Sequence, residues 1–327
     1  MTRRGELLRL LADGSLHSGE ELAASLAISR AAVWKRLQQL GEWGVGLDAL
    51  AGQGYRLSAP LDLLDAGAIH AALPQWSAGR LRRLEVHEEL DSTSDRLLAV
   101  KDLPAGRFDA CVAEFQRAGR GRRGRRWLAP FASGLCLSVN WTFRDAPAAL
   151  GALSLAAGVA VMRALHRLGF HGLALKWPND IVHGGRKLGG ILIDLRGEAA
   201  GPAYVVVGVG INLRLPAAVK EALAAEGLEA SDLAEIGSLP GRSLAVSALI
   251  NELALALEEF GARGMSAFAD EWRGADALVN RPVRVLQGER TLEGLARGVD
   301  ADGALLLDAG DGRQRILSGE VSVRPVQ

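Results

Sequence analysis

Residues 116–127 read QRAGRGRRGRRW, and six arginines and three glycines stand between positions 117 and 126. The letters at 119–124 match the GxGxxG pattern of dinucleotide-binding folds, but they are too rich in arginine and follow no first strand of such a fold. Glycine lets backbone amides approach a ligand closely, and arginine offers planar donors that suit carboxylates and phosphates. We therefore predict a flexible loop that closes over an anion, in a fold other than a dinucleotide-binding one.

The chain that carries this loop has no net charge. Its 327 residues include 38 basic and 38 acidic side chains, so a basic site must be local. Apolar residues make up 49%, which is typical of a soluble globular protein, and the length indicates two or three domains. Cys111 and Cys136 stand outside any CxxC motif and favour a reducing compartment. Because the sequence has neither a membrane-spanning apolar run nor a signal-peptide core, we expect a cytoplasmic protein with no membrane partner.

The amino-terminal segment predicts two capped helices followed by a hairpin. Ser18 begins a capping box ahead of an apolar run, and Ser29 precedes a helix with apolar residues at 33, 34, 37 and 40. Two short helices about four residues apart are typical of a helix-turn-helix, and the glycine-punctuated stretch 45–57 is typical of a wing. We predict a winged helix-turn-helix domain over residues 1–60, with Trp34 packed in its core.

The second helix of this domain is basic. Residues 22–41 contain three cations and no acid, and DNA-binding proteins use such cations to contact phosphates. We predict DNA contacts from Ser29, Arg30, Lys35 and Arg36. A protein–protein module remains the alternative, since the basic content is modest.

The middle of the chain, about 65–275, alternates strand-like and helix-like segments. Strands are predicted at 110–114, 135–141, 191–195 and 204–212, and helices at 150–168 and 244–260. This alternation indicates an α/β or α+β domain. The alanine- and glutamate-rich stretch 213–240 is compatible with a mobile segment or a poorly packed helix.

The last segment, about 276–327, predicts only short strands. They fall at 282–286, 291–298, 304–308 and 320–324, with turn-forming residues between them. This pattern is typical of a small β-barrel or sandwich.

Polar motifs follow the predicted strands of the middle region. Because Pro178 ends ladder pairing, Asn179 and Asp180 after it can face a ligand or a metal. Lys187, at the mouth of a buried strand, can hold a carboxylate or phosphate. Gly208 and Gly210 flank one valine, which suggests a flat ligand lying against the backbone.

Each motif also has an ordinary structural interpretation. Residues 179–180 can form a turn after proline, and the paired glycines can form a β-bulge. The hydroxyls of Asp91-Ser-Thr-Ser94 are more often part of a helix N-cap than of a ligand site. The arginine loop alone can bind nucleic acid. The histidines show no metal-ligand spacing such as HExxH, so no metal site held by protein ligands alone is predicted.

The order of the motifs is more specific than any one of them. Along the chain come Asp91-Ser-Thr, the arginine loop, Lys176-Trp-Pro-Asn-Asp180, Arg186-Lys-Leu-Gly-Gly-Ile-Leu192 and Gly208-Val-Gly-Ile-Asn212. Together they resemble the biotin–protein ligase family. The segment Ser29–Lys35 resembles the bifunctional bacterial members that also repress the biotin operon, and residues 302–307 and 318–324 resemble the family's carboxy-terminal barrel.

This resemblance covers nearly the whole chain and implies an α+β fold in three parts. These are a winged helix-turn-helix DNA-binding domain (1–60), a central mixed α/β ligase domain of the biotin/lipoate ligase type (65–275), and a small SH3-like β-barrel (276–327). The implied reaction joins biotin to ATP with Mg2+ to give biotinyl-5′-AMP and pyrophosphate. The biotinyl group then passes to a lysine of the biotin carboxyl carrier protein of acetyl-CoA carboxylase. Operator DNA and a homodimer formed on ligand binding are the other implied partners.

The resemblance also assigns site residues. Lys187, Arg122 and Asp180 are implied to be catalytic, with Mg2+ held near Asp180 by the ATP phosphates. The implied biotin site consists of Ser92, Thr93, Ser94, Gln116, Arg120, Gly121, Arg122, Lys187, Gly208 and Gly210. The implied nucleotide site consists of Arg123, Trp127, Asn179 and Asn212.

Two departures from the family pattern qualify these assignments. Ser94 stands where asparagine is commoner, and residues 213–240 contain no aromatic side chain, although some relatives place one over the adenine. Three alternatives stay open: a repressor with a degenerate ligase domain, a lipoate ligase, and a ligase whose winged helix no longer binds DNA. The intact arginine loop and Lys187 favour a working ligase of the biotin kind.

Overall fold

The computed structural model describes residues 3–145, 150–196, 202–287, 290–310, 312–317 and 321–325. These ranges form three β-sheets with helices around them. None of the helices in these ranges has the length and apolar content needed to cross a membrane.

The amino-terminal part has the predicted winged helix-turn-helix arrangement. It consists of α1 (Arg3–Leu11), α2 (Gly19–Ser25), α3 (Arg30–Gln39) and a hairpin of β1 (Leu47–Leu50) with β2 (Gly54–Leu57). Both predicted caps form. Ser18 and Glu21 complete a reciprocal capping box, and the Ser29 hydroxyl accepts from the Ala32 amide at 3.2 Å. These caps satisfy amides that would otherwise lack a partner, so they fix where the two helices begin.

The expectation for Trp34 is wrong. Its side chain is 56% exposed, whereas Trp43, in the short 3-10 helix after α3, is only 2% exposed and fills the domain core. On α3 the buried stripe consists of Val33 and Leu37, and one residue further along a helix lies about 100° around it. Trp34 therefore projects to solvent.

The central part is built on one mixed sheet of seven strands in the order β3-β4-β5-β9-β8-β7-β6. Only β3 and β4 are paired in parallel. All four strands predicted in this region are present. The elements in chain order are α4 (Ala66–Ala72), α5 (Gln75–Arg80), β3 (Leu81–Leu90), α6 (Thr93–Leu98), β4 (Phe108–Gln116), β5 (Gly134–Phe143), α7 (Leu153–Arg167), β6 (Leu173–Lys176), β7 (Asp180–His183), β8 (Arg186–Arg196), β9 (Ala203–Asn212), α8 (Ala217–Ala225), α9 (Arg242–Arg263) and α10 (Ala269–Ala275).

Strand alternation gives this sheet two different faces. In β9, Val205, Val207, Val209 and Ile211 belong to the main apolar core with α7 and α9. The alternate positions of β9 face α6 and include Gly208 and Gly210. One face of the sheet therefore stabilises the domain, and the other is available for a binding site.

The carboxy-terminal part is an antiparallel sheet in the order β13-β12-β11-β10-β14. Its strands are β10 (Pro282–Gln287), β11 (Arg290–Val299), β12 (Leu305–Ala309), β13 (Gly312–Ile316) and β14 (Val321–Pro325). Among the described residues β13 and β14 do not pair, so the predicted sheet is confirmed while its closure into an SH3-like barrel stays a prediction. Residues 318–320 of the motif quoted above lie outside the described ranges. The Trp177 indole donates to the Gly303 carbonyl at 3.0 Å, which ties this sheet to the central part.

Hydrogen bonds to a buried ion pair of the central part hold the linker after the winged helix. The side chains of Glu114 and Arg242 are each 5% exposed and contact one another. Glu114 also accepts from the Leu64 amide at 2.5 Å, and Asp62 accepts from the Arg242 amide at 2.6 Å. Nearby, the rings of Trp43 and Phe131 stack with centroids 4.6 Å apart. The amino-terminal part and its linker therefore contact the central part through both apolar and polar groups. The domain limits at 1–60, 65–275 and 276–327 stay predictions.

Candidate functional site

A cluster of hydroxyl groups lies on the face of the sheet that α6 covers. Ser138 of β5 is within 2.8 Å of the Thr93 hydroxyl and 3.0 Å of the Ser94 hydroxyl. Gln116, at the end of β4, accepts from the Thr93 amide at 2.8 Å. A Cβ on Gly208 would lie 2.6 Å from the Ser94 oxygen, so the strand needs glycine there for the hydroxyls to sit against it. The structure thus brings Thr93, Ser94, Gln116 and Gly208 together, and their role toward biotin stays a prediction.

Ser92 takes the N-cap role that is the ordinary interpretation of its motif, and Ser138 is an additional residue of the cluster. Ser92 is the N-cap of α6, and its hydroxyl accepts from the Asp95 amide at 3.3 Å. Ser138 is fully buried and was not predicted. Its signal was present in the sequence, because LCLSVNW alternates large apolar residues with Cys136, Ser138 and Asn140. A strand of that pattern turns its small and polar side chains to one face.

The arginine loop runs from the end of β4 to β5 and is held at its base. The Trp127 amide donates to the Gly119 carbonyl at 2.9 Å, and the Gly121 amide donates to the Arg125 carbonyl at 2.7 Å. A Cβ on Gly119 would lie 2.7 Å from the Trp127 carbonyl oxygen, so only glycine fits this close approach. The two ends of the loop are therefore fixed to each other, and its tip carries Arg122 and Arg123.

Arg120 is already balanced by acids. Its guanidinium donates to both carboxylate oxygens of Asp194, at 3.1 and 2.7 Å, and lies 2.9 Å from Asp95. Neither acid was predicted to belong to the site. In this arrangement Arg120 anchors the loop to α6 and β8, and its predicted role toward biotin stays a prediction.

Arg122 is the loop cation that lies nearest the polar end of the sheet. Its guanidinium donates to the Asn179 side-chain oxygen at 3.4 Å. Burial, and then repulsion from Arg123, lowers the pKa of Arg122 below its ordinary value. Its charged form is therefore destabilised by this environment, and an anion bound beside it would offset that cost.

Lys187 and Asp180 form an ion pair beside Arg122. The Lys187 Nζ lies 2.6 Å from Asp180 Oδ1 and 5.9 Å from the centre of the Trp127 ring. With the lysine side chain 41% exposed, its ammonium is accessible to an incoming anion.

The two predicted asparagines make backbone contacts that shape this end of the sheet. Asn179 donates to the Ile191 carbonyl at 2.7 Å, and Asn212 donates to the Ser231 carbonyl at 3.0 Å. The Lys187 amide donates to the Glu229 carbonyl at 2.8 Å. The stretch 229–231 therefore runs beside Lys187. In the segment 213–240, α8 has no buried residue, whereas Ser231, Asp232 and Leu233 after it are buried.

Gly210 does lie under a flat group, but that group belongs to the protein. A Cβ on Gly210 would come within 2.4 Å of the Trp127 indole. The tryptophan therefore lies flat against β9, next to Lys187. The flat ligand predicted against the two glycines stays a prediction, because in this structure the Trp127 indole lies against Gly210 and the Ser94 hydroxyl lies against Gly208.

The donor set at this end of the sheet suits Mg2+ held together with phosphates. The carboxylate of Asp180 and the amide oxygen of Asn179 are hard oxygen ligands, and Mg2+ is commonly bound by one or two such groups plus substrate phosphates. A different group, Glu85, His87 and Cys111, has donor atoms within 4.8 Å of one another in the described ranges. There Arg96 binds both Glu85 oxygens, at 2.7 and 3.0 Å, and lowers the pKa of Glu85 to about 2. That cation already balances the carboxylate, so we interpret the group as an ion-pair network.

Comparison with known proteins gives matches to three family models. The biotin/lipoate A/B protein ligase family matches residues 88–212, a biotin protein ligase C-terminal domain matches 278–324, and an HTH domain matches 3–56. The bifunctional ligase/repressor BirA of Salmonella typhimurium is 40% identical over 322 residues, which cover 98% of this chain and 97% of that protein. BirA of Escherichia coli is 40% identical over 323 residues, with the same coverage of 98% and 97%.

Solved structures give a consistent result. The biotin protein ligase from Aquifex aeolicus in complex with biotin and ATP is similar with a TM-score of 0.62 and 28% identity. The match covers 75% of this chain and 100% of that one.

Proposed function

Since this chain belongs to the biotin protein ligase family, among its bifunctional ligase/repressors, we propose that it activates biotin with ATP and transfers the biotinyl group to a carrier protein. The acceptor is a lysine of the biotin carboxyl carrier protein of acetyl-CoA carboxylase. We further propose that the same chain represses a biotin operon through its winged helix, with biotinyl-5′-AMP as corepressor.

One observation carries the ligase proposal. Lys187, Asp180, Asn179 and Arg122 converge at one end of the sheet whose α6-covered face carries the hydroxyl cluster. An enzyme that joins a carboxylate to a phosphate must offset the repulsion between two anions. Oriented cations at the point where they meet accomplish this, and they stabilise the transition state further as its charge develops.

In the first step a biotin carboxylate oxygen attacks the α-phosphorus of ATP. A phosphorus–oxygen bond forms to the carboxylate, the bond to the β-phosphate bridge breaks, and pyrophosphate leaves. Lys187 would move from Asp180 to the anions, which its accessible ammonium permits. Asn179 and Asp180 would hold Mg2+ with the phosphates, and the ion would supply charge neutralisation there. Asp180 would therefore pair with Lys187 before the substrates bind and with Mg2+ afterwards.

The ureido ring, the valeryl chain and the nucleotide each require contacts of their own. Ser92, Thr93, Ser94 and Gln116 would hydrogen-bond the ureido ring of biotin above Gly208, with the Trp127 indole over Gly210 beside it. Arg120, Gly121 and Arg122 would line the valeryl chain and carboxylate. Arg123, Trp127, Asn179 and Asn212 would contact the nucleotide. The hydroxyl cluster supports the first assignment, because neutral donors and acceptors match a neutral ureido group better than charges do.

In the second step the carrier lysine, as its neutral amine, attacks the acyl carbon of biotinyl-5′-AMP. An amide bond forms, the bond from the acyl carbon to the phosphate oxygen breaks, and AMP leaves as the amine loses a proton. The arginine loop would shield the mixed anhydride from water until the carrier arrives. Backbone hydrogen bonds fix the base of the loop, and its tip carries charged side chains. This arrangement suits a segment that closes over a bound ligand.

Isotope exchange between ATP and pyrophosphate tests the ligase proposal. We expect exchange that depends on biotin and is negligible with lipoate, because the hydroxyl cluster matches a ureido ring and lipoate has none. Exchange with lipoate but not biotin would assign the chain to the lipoate branch. No exchange with either acid would favour a repressor with a degenerate ligase domain.

A mobility-shift assay tests the repressor proposal. We expect the protein to shift a palindromic biotin operator duplex more strongly with biotin plus ATP than without them. The affinity should fall steeply as salt rises, because cations on α3 would replace counterions at phosphates. A dimer formed on ligand binding would match the two half-sites. Exchange activity without any shift would leave a ligase whose winged helix no longer binds DNA.

A further inference from the structure

The exposed tryptophan of α3 lies in the middle of a specific surface. The exposed side chains of this helix include Arg30, Trp34 and Gln38, which are four residues apart and so form one line along it. The buried residues Val33 and Leu37 hold an adjacent side of the helix against the domain core. We call the line of Arg30, Trp34 and Gln38 the outer stripe of α3.

The chemistry of the outer stripe is that of base recognition. In the major groove an arginine fork matches guanine, a glutamine amide matches adenine, and an apolar group matches the C5-methyl of thymine. Trp34 supplies the apolar group, because its indole is 56% exposed. Gln38 lies one turn further along α3, where it would meet a neighbouring base pair.

The position of Trp34 within α3 also fits a role at base edges. In a helix-turn-helix the amino-terminal residues of the second helix meet the bases. Trp34 is the fifth residue of α3, and Ser29 caps the helix directly before it. Arg30, on the turn before Trp34, pairs with Glu20 of α2 at 3.0 Å, which orients the start of the stripe.

We propose that Trp34 is a specificity-determining residue that contacts a thymine methyl group in the major groove of the bound DNA. This inference rests on the proposed repressor function. Duplex DNA is favoured over a protein partner because α3 and the turn before it, residues 26–39, carry three cations and no acid.

The test begins by finding the preferred DNA sequence. A library of random-sequence duplexes would be selected with the full-length protein in the presence of biotin and ATP. Each thymine of the preferred site would then be replaced singly by uracil, which removes only the C5-methyl. We expect one or two positions in each half-site where uracil weakens binding about fivefold or more, since a lost base contact typically costs that much.

Variants test whether Trp34 causes the difference in affinity between thymine and uracil. With Trp34→Ala, the thymine-to-uracil change should no longer alter affinity, and the protein's preference at those positions should be lost. Trp34→Phe retains an apolar ring and should retain part of the discrimination. Leu16→Ala is the matched control, since Leu16 is an exposed apolar residue of the same domain outside α3. ATP–pyrophosphate exchange should be unchanged in all three variants.

The outcomes separate this inference from the function on which it rests. Sequence-specific binding with equal discrimination in wild type and Trp34→Ala would overturn the inference and leave the repressor proposal intact. Absence of binding to any duplex would overturn both. Specific capture of a protein by the wild-type stripe, without DNA binding, would replace the inference with a protein-docking role.

Discussion

Replacing Lys187 with alanine should lower biotin-dependent ATP–pyrophosphate exchange by about 100- to 1,000-fold, the usual cost of removing one group that stabilises a developing anion. The lysine ammonium lies 2.6 Å from Asp180 and is accessible to an incoming anion. Without it, Asp180 would repel both incoming anions. The measurement is exchange at saturating biotin and ATP.

Two controls make this result specific. Lys101→Ala removes an exposed lysine that lies near Tyr204 at the start of β9, whereas Asn212 beside Lys187 is at the end of that strand, and it should leave exchange unchanged. The thermal unfolding midpoint of Lys187→Ala should stay near the wild-type value, because the lysine side chain is 41% exposed and an exposed ion pair contributes little to stability. Exchange within about threefold of wild type, well short of the loss expected for such a group, would contradict the assignment of Lys187.

Replacing Arg122 with glycine should make the enzyme release its reactive intermediate. Arg122 is a partly buried cation whose lowered pKa reflects an environment that favours a bound anion. A hydrogen bond between charged groups contributes about 1.5–3 kcal/mol. Its loss should therefore speed release of biotinyl-5′-AMP about 10- to 100-fold. Free intermediate would then acylate lysines of unrelated proteins.

Labelling of an unrelated lysine-rich protein, mixed with the variant, biotin and ATP, measures this release. Arg125→Gly is the matched control, because Arg125 is an exposed arginine of the same loop and its backbone contact with Gly121 survives the change. It should label only the carrier protein. Strict carrier specificity in Arg122→Gly would show that another group retains the intermediate.

Local rules predicted much of the fold. Serine caps located the starts of α2 and α3, and alternation located β4, β5, β8 and β9. The error over Trp34 has a physical reason. The α3 pattern offers apolar residues at two neighbouring positions, 33 and 34, and only one can face a small core. The turn that buries Trp43 depends on Phe131, which is 88 positions away and invisible to a local pattern.

The candidate site was predictable where it depends on motifs and not where it depends on register. From the order of the motifs along the chain we predicted that Lys187, Asp180, Asn179 and the arginine loop share one site. The partners of Arg120 were missed because Asp194 is 74 residues away and reaches the loop only through strand pairing. The Trp127 indole over Gly210 was missed for the same reason.

The contact between Trp43 and Phe131 limits how far the winged helix-turn-helix part and the central part can evolve independently. Phe131 comes four residues after Trp127, so the segment that ends the arginine loop also supplies a ring to the amino-terminal core. The Phe131 amide donates to the Trp43 carbonyl at 2.9 Å, and the partly buried Phe115 packs on the same cluster. A chain trimmed to its catalytic portion would present both phenylalanines to water. The winged helix-turn-helix part therefore also covers apolar side chains of the central part. Its loss would require compensating polar substitutions at 115 and 131.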